Sequence, residues 1–97
     1  MRIISRSRLR EFWERQPDSE NSLRSWYAVA AHAQWMNPED VKDAFRTADI
    51  LKNGRVVFNI RENRFRLVVK FHFNTGRAYI CFVGTHKEYA AIDANTV

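Results

Sequence analysis

Residues 64–73 alternate without a break: Phe65, Leu67, Val69, Phe71 and Phe73 fall on one side, Arg64, Arg66, Val68, Lys70 and His72 on the other. A period of two belongs to a β-strand with one face against a core. A slip of one residue would turn five large apolar side chains into water, so this strand fixes its own register and that of its neighbours. Residues 55–60 repeat the pattern, with Val56, Phe58 and Ile60 on the apolar side and Arg55, Val57 and Asn59 on the other; Arg61-Glu62-Asn63 between them reads as a turn. Asn74-Thr75-Gly76 predicts a second hairpin. Residues 77–83 then form a third strand, apolar on both faces and therefore central or covered.

Ahead of this meander the period is helical. Leu9, Phe12 and Trp13 stand at i, i+3 and i+4, which predicts a helix capped by Ser5 or Ser7, running to about residue 16 and ended by Pro17. Asp18 or Ser19 can cap a second helix reaching about Met36, with Leu23, Trp26, Tyr27 and Ala30 on its buried face. Asn37-Pro38-Glu39-Asp40 places a cap, a first-turn proline and two acids where a third helix begins, with Val41, Ala44 and Phe45 as its stripe. Residues 1–5 read as an edge strand. Thr85 with Glu88 three residues on predicts a capping box and a short last helix. The expected architecture is α+β, one domain over residues 1–97. N-terminal helices pack on the apolar face of a curved antiparallel sheet of three or more strands, and a polar, basic face is left open.

The formal net charge of this 97-residue chain is +5. All of the excess lies in residues 51–97, where eight basic residues face Glu62, Glu88 and Asp93. Clustered Lys and Arg gain by displacing counterions from phosphates, so a polyanionic partner is one reading and a solvated basic surface the other. A single cysteine, Cys81, excludes an intramolecular disulfide and a four-thiolate zinc site. No run approaches the ~20 apolar residues of a membrane span. The basic N-terminus has no apolar stretch after it and does not read as a secretory signal. The expected location is the cytoplasm, with no membrane partner.

Two groups of residues carry candidate chemistry. Arg64, Arg66, Lys70 and His72 share the open face of one strand; a neighbouring strand adds Asn59, with Arg61 at its end. Cations fixed on a strand can grip a phosphodiester and stabilise a pentacoordinate phosphorane; equally, alternating cations are common on a solvated sheet face. Residues 83–89 gather His86, Lys87 and Tyr89 at the end of the sheet. A histidine can move a proton near neutral pH, a lysine can balance charge, and a tyrosine can stack on a base or orient an imidazole. The alternative is a helix cap with Tyr89 packed on the core. His32, among alanines, reads as structural, and His72 as a surface residue. No HExxH, paired carboxylates or glycine-rich phosphate loop occurs, so no metal site or cofactor is expected. Cys81 sits in an apolar strand without a histidine partner and is not expected to act as a nucleophile.

Four pieces in order, Val57-Phe58-Asn59-Ile60, Asn63-x-Phe65-Arg66-Leu67, Tyr79-Ile80 and Thr85-His86-x-Glu88-Tyr89, resemble the HigB toxins of bacterial type II toxin–antitoxin modules, within the RelE-like superfamily. The resemblance implies helices against a curved antiparallel sheet. It implies a metal-free endoribonuclease that cuts mRNA on the translating ribosome, in the 16S rRNA region of the A site, and a HigA-like helix-turn-helix antitoxin. Arg66 matches the arginine placed at the scissile phosphate, while His86 and Tyr89 match the C-terminal signature, with Lys87 at a variable position inside it. Asn59 stands where relatives supply a cation on the strand that Arg61 follows, Cys81 where many carry a basic residue, and Ala90 where many carry Asp. On this reading Arg66, His86, Lys87 and Tyr89 are catalytic, and Asn59, Arg61, Arg64 and Lys70 bind RNA. Arg6, Arg8 and Arg10 would contact ribosomal RNA. The rival readings are a non-catalytic RNA-binding module and a protein-interaction domain with a basic face.

Overall fold

The computed structural model describes residues 1–97. In chain order the elements are β1 (Arg2–Ile4), α1 (Ser7–Arg15), a 3₁₀ turn (Pro17–Ser19), α2 (Glu20–His32), α3 (Pro38–Ala44), β2 (Asp49–Ile50), a second 3₁₀ turn (Lys52–Gly54), β3 (Arg55–Ile60), β4 (Phe65–His72), β5 (Arg77–Thr85) and α4 (His86–Ala90). The sheet order is β1-β5-β4-β3-β2. The predicted meander β3-β4-β5 is its antiparallel centre. The sheet as a whole is mixed, because β1 runs parallel to β5.

The alternation in β4 does what its period requires. Phe65, Leu67, Val69 and Phe71 join Val56, Phe58 and Ile60 from β3, and Leu9, Phe12, Leu23, Trp26 and Ala30 from α1 and α2, in one buried cluster. Phe58 sits at its centre, edge-on to Trp26, Phe45 and Phe71 with ring centroids 5.3, 5.1 and 6.2 Å away. Such aromatic pairs add about 0.5–1.5 kcal/mol each beyond their area burial.

Local signals set most boundaries. Asn37 caps α3 by accepting the Asp40 amide at 3.0 Å. The Thr85–Glu88 capping box opens α4, with both reciprocal bonds made. Three expectations are corrected. Neither Ser5 nor Ser7 caps α1, and neither Asp18 nor Ser19 caps α2: Ser7 is the first helical residue of α1, and no side chain makes a capping bond at either start. The chain leaves α2 at His32, not Met36, and runs extended so that Trp35 turns back into the core against Phe45 and Phe71. Burial of that indole outweighs one more helical turn.

The third correction concerns the second sheet face, which is not left open. Val57 and Val68 face away from the main core, yet they are 2% and 0% exposed. With Ala94 they form a smaller buried cluster, lined by Phe82, Tyr89, Ile92 and Val97. The chain after β5 folds back over the middle of this face, and Arg55 holds it by donating from Nε and Nη2 to the Val97 oxygen at 3.2 and 3.0 Å. A bulge makes this possible. Val68 pairs with Phe82 and Val69 with Ile80, which leaves Cys81 unpaired between them. The extra residue puts Phe82 on the second face while Ile80 stays in the core. That is why β5 is apolar on both sides.

Candidate functional site

Register places the second-face side chains in cross-strand rows. Asn59, Arg66 and Gly84 form one row; Val57, Val68 and Phe82 form the next; Arg55, Lys70 and Tyr79 form a third. Arg66 therefore stands at one end of the face and Lys70 at the other, with the covered apolar row between them. Four residues of strand separate the two, about 13 Å.

Around Arg66 the fold builds a specific surrounding. Its Nη1 donates to the Asn63 and Phe65 carbonyls at 3.0 and 3.3 Å, which holds the guanidinium against the β3–β4 turn. Its Cζ lies 5.9 Å from the centre of the Tyr89 ring, within cation–π reach. Gly84, opposite Arg66, is buried. A Cβ there would fall 2.5 Å from the Phe82 ring and 3.1 Å from Glu88 Oε1. The missing side chain lets Phe82, Glu88 and α4 close over the end of β5.

α4 is tied down from two directions. Thr85 N–H donates to Glu88 Oε1 at 2.8 Å, and Glu88 N–H donates to Thr85 Oγ1 at 3.1 Å. Arg15 of α1 reaches across to Glu88 Oε2 at 3.2 Å. The Thr85 amide bond holds the Glu88 carboxyl below the ordinary glutamate range; partial desolvation opposes it and Arg15 reinforces it. The His86 amide donates to the Arg64 carbonyl at 3.2 Å and so continues the β4–β5 ladder by one rung. His86 is thus the first residue past the strand, exposed, beside the Arg66 row, and Lys87 follows it, also exposed.

The expected site residues separate into three groups. Arg66 and Tyr89 meet directly, with Asn59 beside Arg66, its amide donating to the Thr47 carbonyl at 3.2 Å. His86 and Lys87 flank this patch at the start of α4. No concavity is lined by both Arg66 and His86, so the patch is a surface and not a cleft. Arg61 and Arg64 turn to the sheet end, where both approach Asp18 Oδ2, at 2.8 and 3.6 Å. Lys70 lies beyond the apolar row, near Tyr79, whose ring packs edge-on to His72 at 5.0 Å. Arg8, grouped with Arg6 and Arg10 in the sequence, instead donates to the Cys81 carbonyl at 2.8 Å. Sequence reasoning missed Asp18, Arg15 and Glu88 as partners of these residues. Only the Thr85/Glu88 spacing signalled one of them.

A small α+β protein with helices on one sheet face and an arginine–tyrosine patch, flanked by histidine and lysine, on the other fits a ribonuclease-like toxin. Residues 19–92 match the family described as HigB toxin, the RelE-like toxic component of a toxin–antitoxin system. The chain is 31% identical over 91 residues to the mRNA interferase toxin HigB of Escherichia coli K12, covering 92% of this chain and 88% of that protein. It has the same identity and coverage against the mRNA interferase HigB of Shigella flexneri. Against the mRNA interferase HigB of Escherichia coli O6:H1 the identity is 28% over the same length. The chain belongs to the HigB family of RelE-like toxins.

Proposed function

We propose that this protein is an mRNA interferase: a cytoplasmic endoribonuclease that cuts mRNA on the translating ribosome and is held in check by a HigA-like antitoxin. Family membership supports the class. The observation that carries the site is the Arg66 guanidinium beside the Tyr89 ring, at the foot of a helix whose first residue is His86.

RNA brings its own nucleophile, so the protein supplies orientation, proton transfer and positive charge. The 2′-oxygen attacks the adjacent phosphorus, the bond from phosphorus to the 5′-oxygen breaks, and the leaving oxygen takes a proton. The products are a 2′,3′-cyclic phosphate and a 5′-hydroxyl. Arg66 neutralises the phosphorane, His86 moves the proton, Tyr89 stacks on a base, and Lys87 adds charge. Asn59 positions the RNA next to Arg66. Arg61 and Arg64 join from the sheet end as Asp18 releases them to a phosphate, and Lys70 meets RNA at the far end of the face.

The test is primer extension on mRNA from cells expressing the wild-type chain beside Arg66→Ala. The proposal expects growth arrest, discrete new 5′ ends with the wild type only, and rescue by the cognate antitoxin. Intact mRNA from folded wild-type protein that still binds RNA would instead establish the non-catalytic binding module.

A further inference from the structure

The patch around Arg66 continues toward the edge of the sheet. β1 pairs only with residues 77–79 of β5, so beyond Tyr79 the edge of β5 faces α1. There Arg8, Glu11 and Arg15, one stripe of that helix, meet Phe82 and Val83 in a concavity of about 330 Å³. The hollow adjoins the candidate site through two aromatic steps. The Arg66 Cζ lies 5.9 Å from the centre of the Tyr89 ring, and the centres of the Tyr89 and Phe82 rings are 6.4 Å apart. Neighbouring nucleotides of a splayed single strand can span such steps.

The polar groups in the wall differ in what they have left to offer. Arg8 donates to the Cys81 carbonyl at 2.8 Å. Arg15 pairs with Glu88 Oε2 at 3.2 Å, while its Cζ lies 4.9 Å from the centre of the Phe12 ring. Glu11 is the only carboxylate lining the hollow and belongs to no ion pair. A carboxylate accepts hydrogen bonds and donates none. It repels phosphate, so Glu11 does not serve to hold an RNA backbone. It suits the edge of a base, and the aromatic wall beside it suits the plane of one. The two flanking arginines leave the wall cationic, which disfavours a lysine or arginine from a protein partner.

We propose that this hollow is a nucleobase subsite next to the cleavage site, and that Glu11 selects the base there by accepting its N–H groups. The inference rests on RNA being the partner, as proposed above, and not on the role of Arg66 in cleavage. Guanine fits best, because its ring N–H and its amino group are adjacent donors for the two carboxylate oxygens. Adenine and cytosine offer one amino group beside a ring-nitrogen acceptor. Uracil fits worst: its one N–H stands between two carbonyls, which the carboxylate repels.

The experiment measures binding of fluorescent oligouridine by anisotropy, beside versions with guanosine, adenosine or cytidine at one central position. Every ribose is 2′-O-methylated, so none of them can be cut. The parent is compared with Glu11→Gln and with Glu14→Gln, which makes the same charge change on an exposed α1 residue outside the hollow. Melting curves confirm folding of each. The parent should bind the guanosine version about 5–30-fold tighter than oligouridine, with adenosine and cytidine between. Glu11→Gln should hold oligouridine at least as tightly as the parent, since a negative charge is gone, yet bring guanosine and uridine to within about 2-fold of each other. Glu14→Gln should keep the preference of the parent. A parent without base preference would overturn the proposal. So would a preference that survives Glu11→Gln, one that Glu14→Gln abolishes equally, or no binding of any version. Failure of the cleavage reading would look different: the parent would show the guanosine preference yet leave unmodified mRNA whole.

Discussion

Glu88→Ala should damage function more than it damages the fold. Glu88 closes the capping box of α4, a helix of five residues with no fully buried side chain. A capping interaction of this kind contributes about 1 kcal/mol, with a range of ~0.5–2. The Arg15–Glu88 pair is exposed, 53% and 42% on its two sides, and adds about 0–1 kcal/mol. The sum is about 1–2 kcal/mol, or about 6–12 °C in Tm for a domain of this size. The five-residue helix has few other anchors, so His86 and Tyr89 lose their positions, and misplacement of that order lowers a cleavage rate by about 10–100-fold. Arg15→Ala, which removes only the exposed pair, should cost less than about 1 kcal/mol. The capping and charge effects separate with pH. The Glu88 carboxyl titrates below its ordinary range, so its contribution is complete above the unfolded-state value and disappears as pH falls through the lower folded-state value. The Tm gap between Glu88→Gln and wild type should therefore be widest near neutrality and close as pH falls through the lowered folded-state value. Circular dichroism melts with parallel cleavage assays check both parts. Glu88→Ala melting within about 1 °C of wild type and cleaving at the wild-type rate would show that α4 is held by something else.

Three further outcomes follow from the geometry. Glu62 has φ +60°, directly after Arg61 at φ +50°, so Glu62→Gly should raise stability by about 0.5–1 kcal/mol, read as an increase in Tm. Ala94→Asp places a carboxylate against Val57 and Val68; it should cost about 1–3 kcal/mol and raise binding of an apolar dye as the segment lifts off the sheet. Asp18→Asn removes the only carboxylate paired with Arg61 and Arg64, so affinity for uncleavable RNA should rise a few-fold at low salt and lose the gain at high salt.

The fold was readable where a strong period or a cap determined it. The β4 alternation required one buried face; Phe65, Leu67, Val69 and Phe71 are in the core, and Phe73, just past the strand, is partly buried against it. Asn37 and the Thr85/Glu88 spacing marked helix starts because a cap is a local bond between near neighbours. What escaped depends on contacts distant in sequence. Val57 and Val68 looked like outward residues, and only the return of residues 92–97 over them explains why they are apolar. The Cys81 bulge leaves no mark in a strand already apolar on both faces. In the candidate site, family resemblance named Arg66, His86 and Tyr89, and strand periodicity put Arg66 on the second face. Periodicity could not show that Asp18, across a gap of more than forty residues, draws Arg61 and Arg64 to the sheet end. Nor could it show that α1 brings Glu11 to one hollow with Phe82 and Val83.

The central claim is that the guanidinium of residue 66 acts on the phosphate being cut. Its most direct measurement is the cleavage rate on ribosome-bound mRNA, with identification of the product ends. Removing a contact of this type costs roughly 3–4 kcal/mol of barrier, so Arg66→Ala should cleave at least ~100-fold more slowly while melting like the wild type. The wild-type product should carry a 2′,3′-cyclic phosphate. Cleavage by Arg66→Ala and His86→Ala at the wild-type rate would contradict the account.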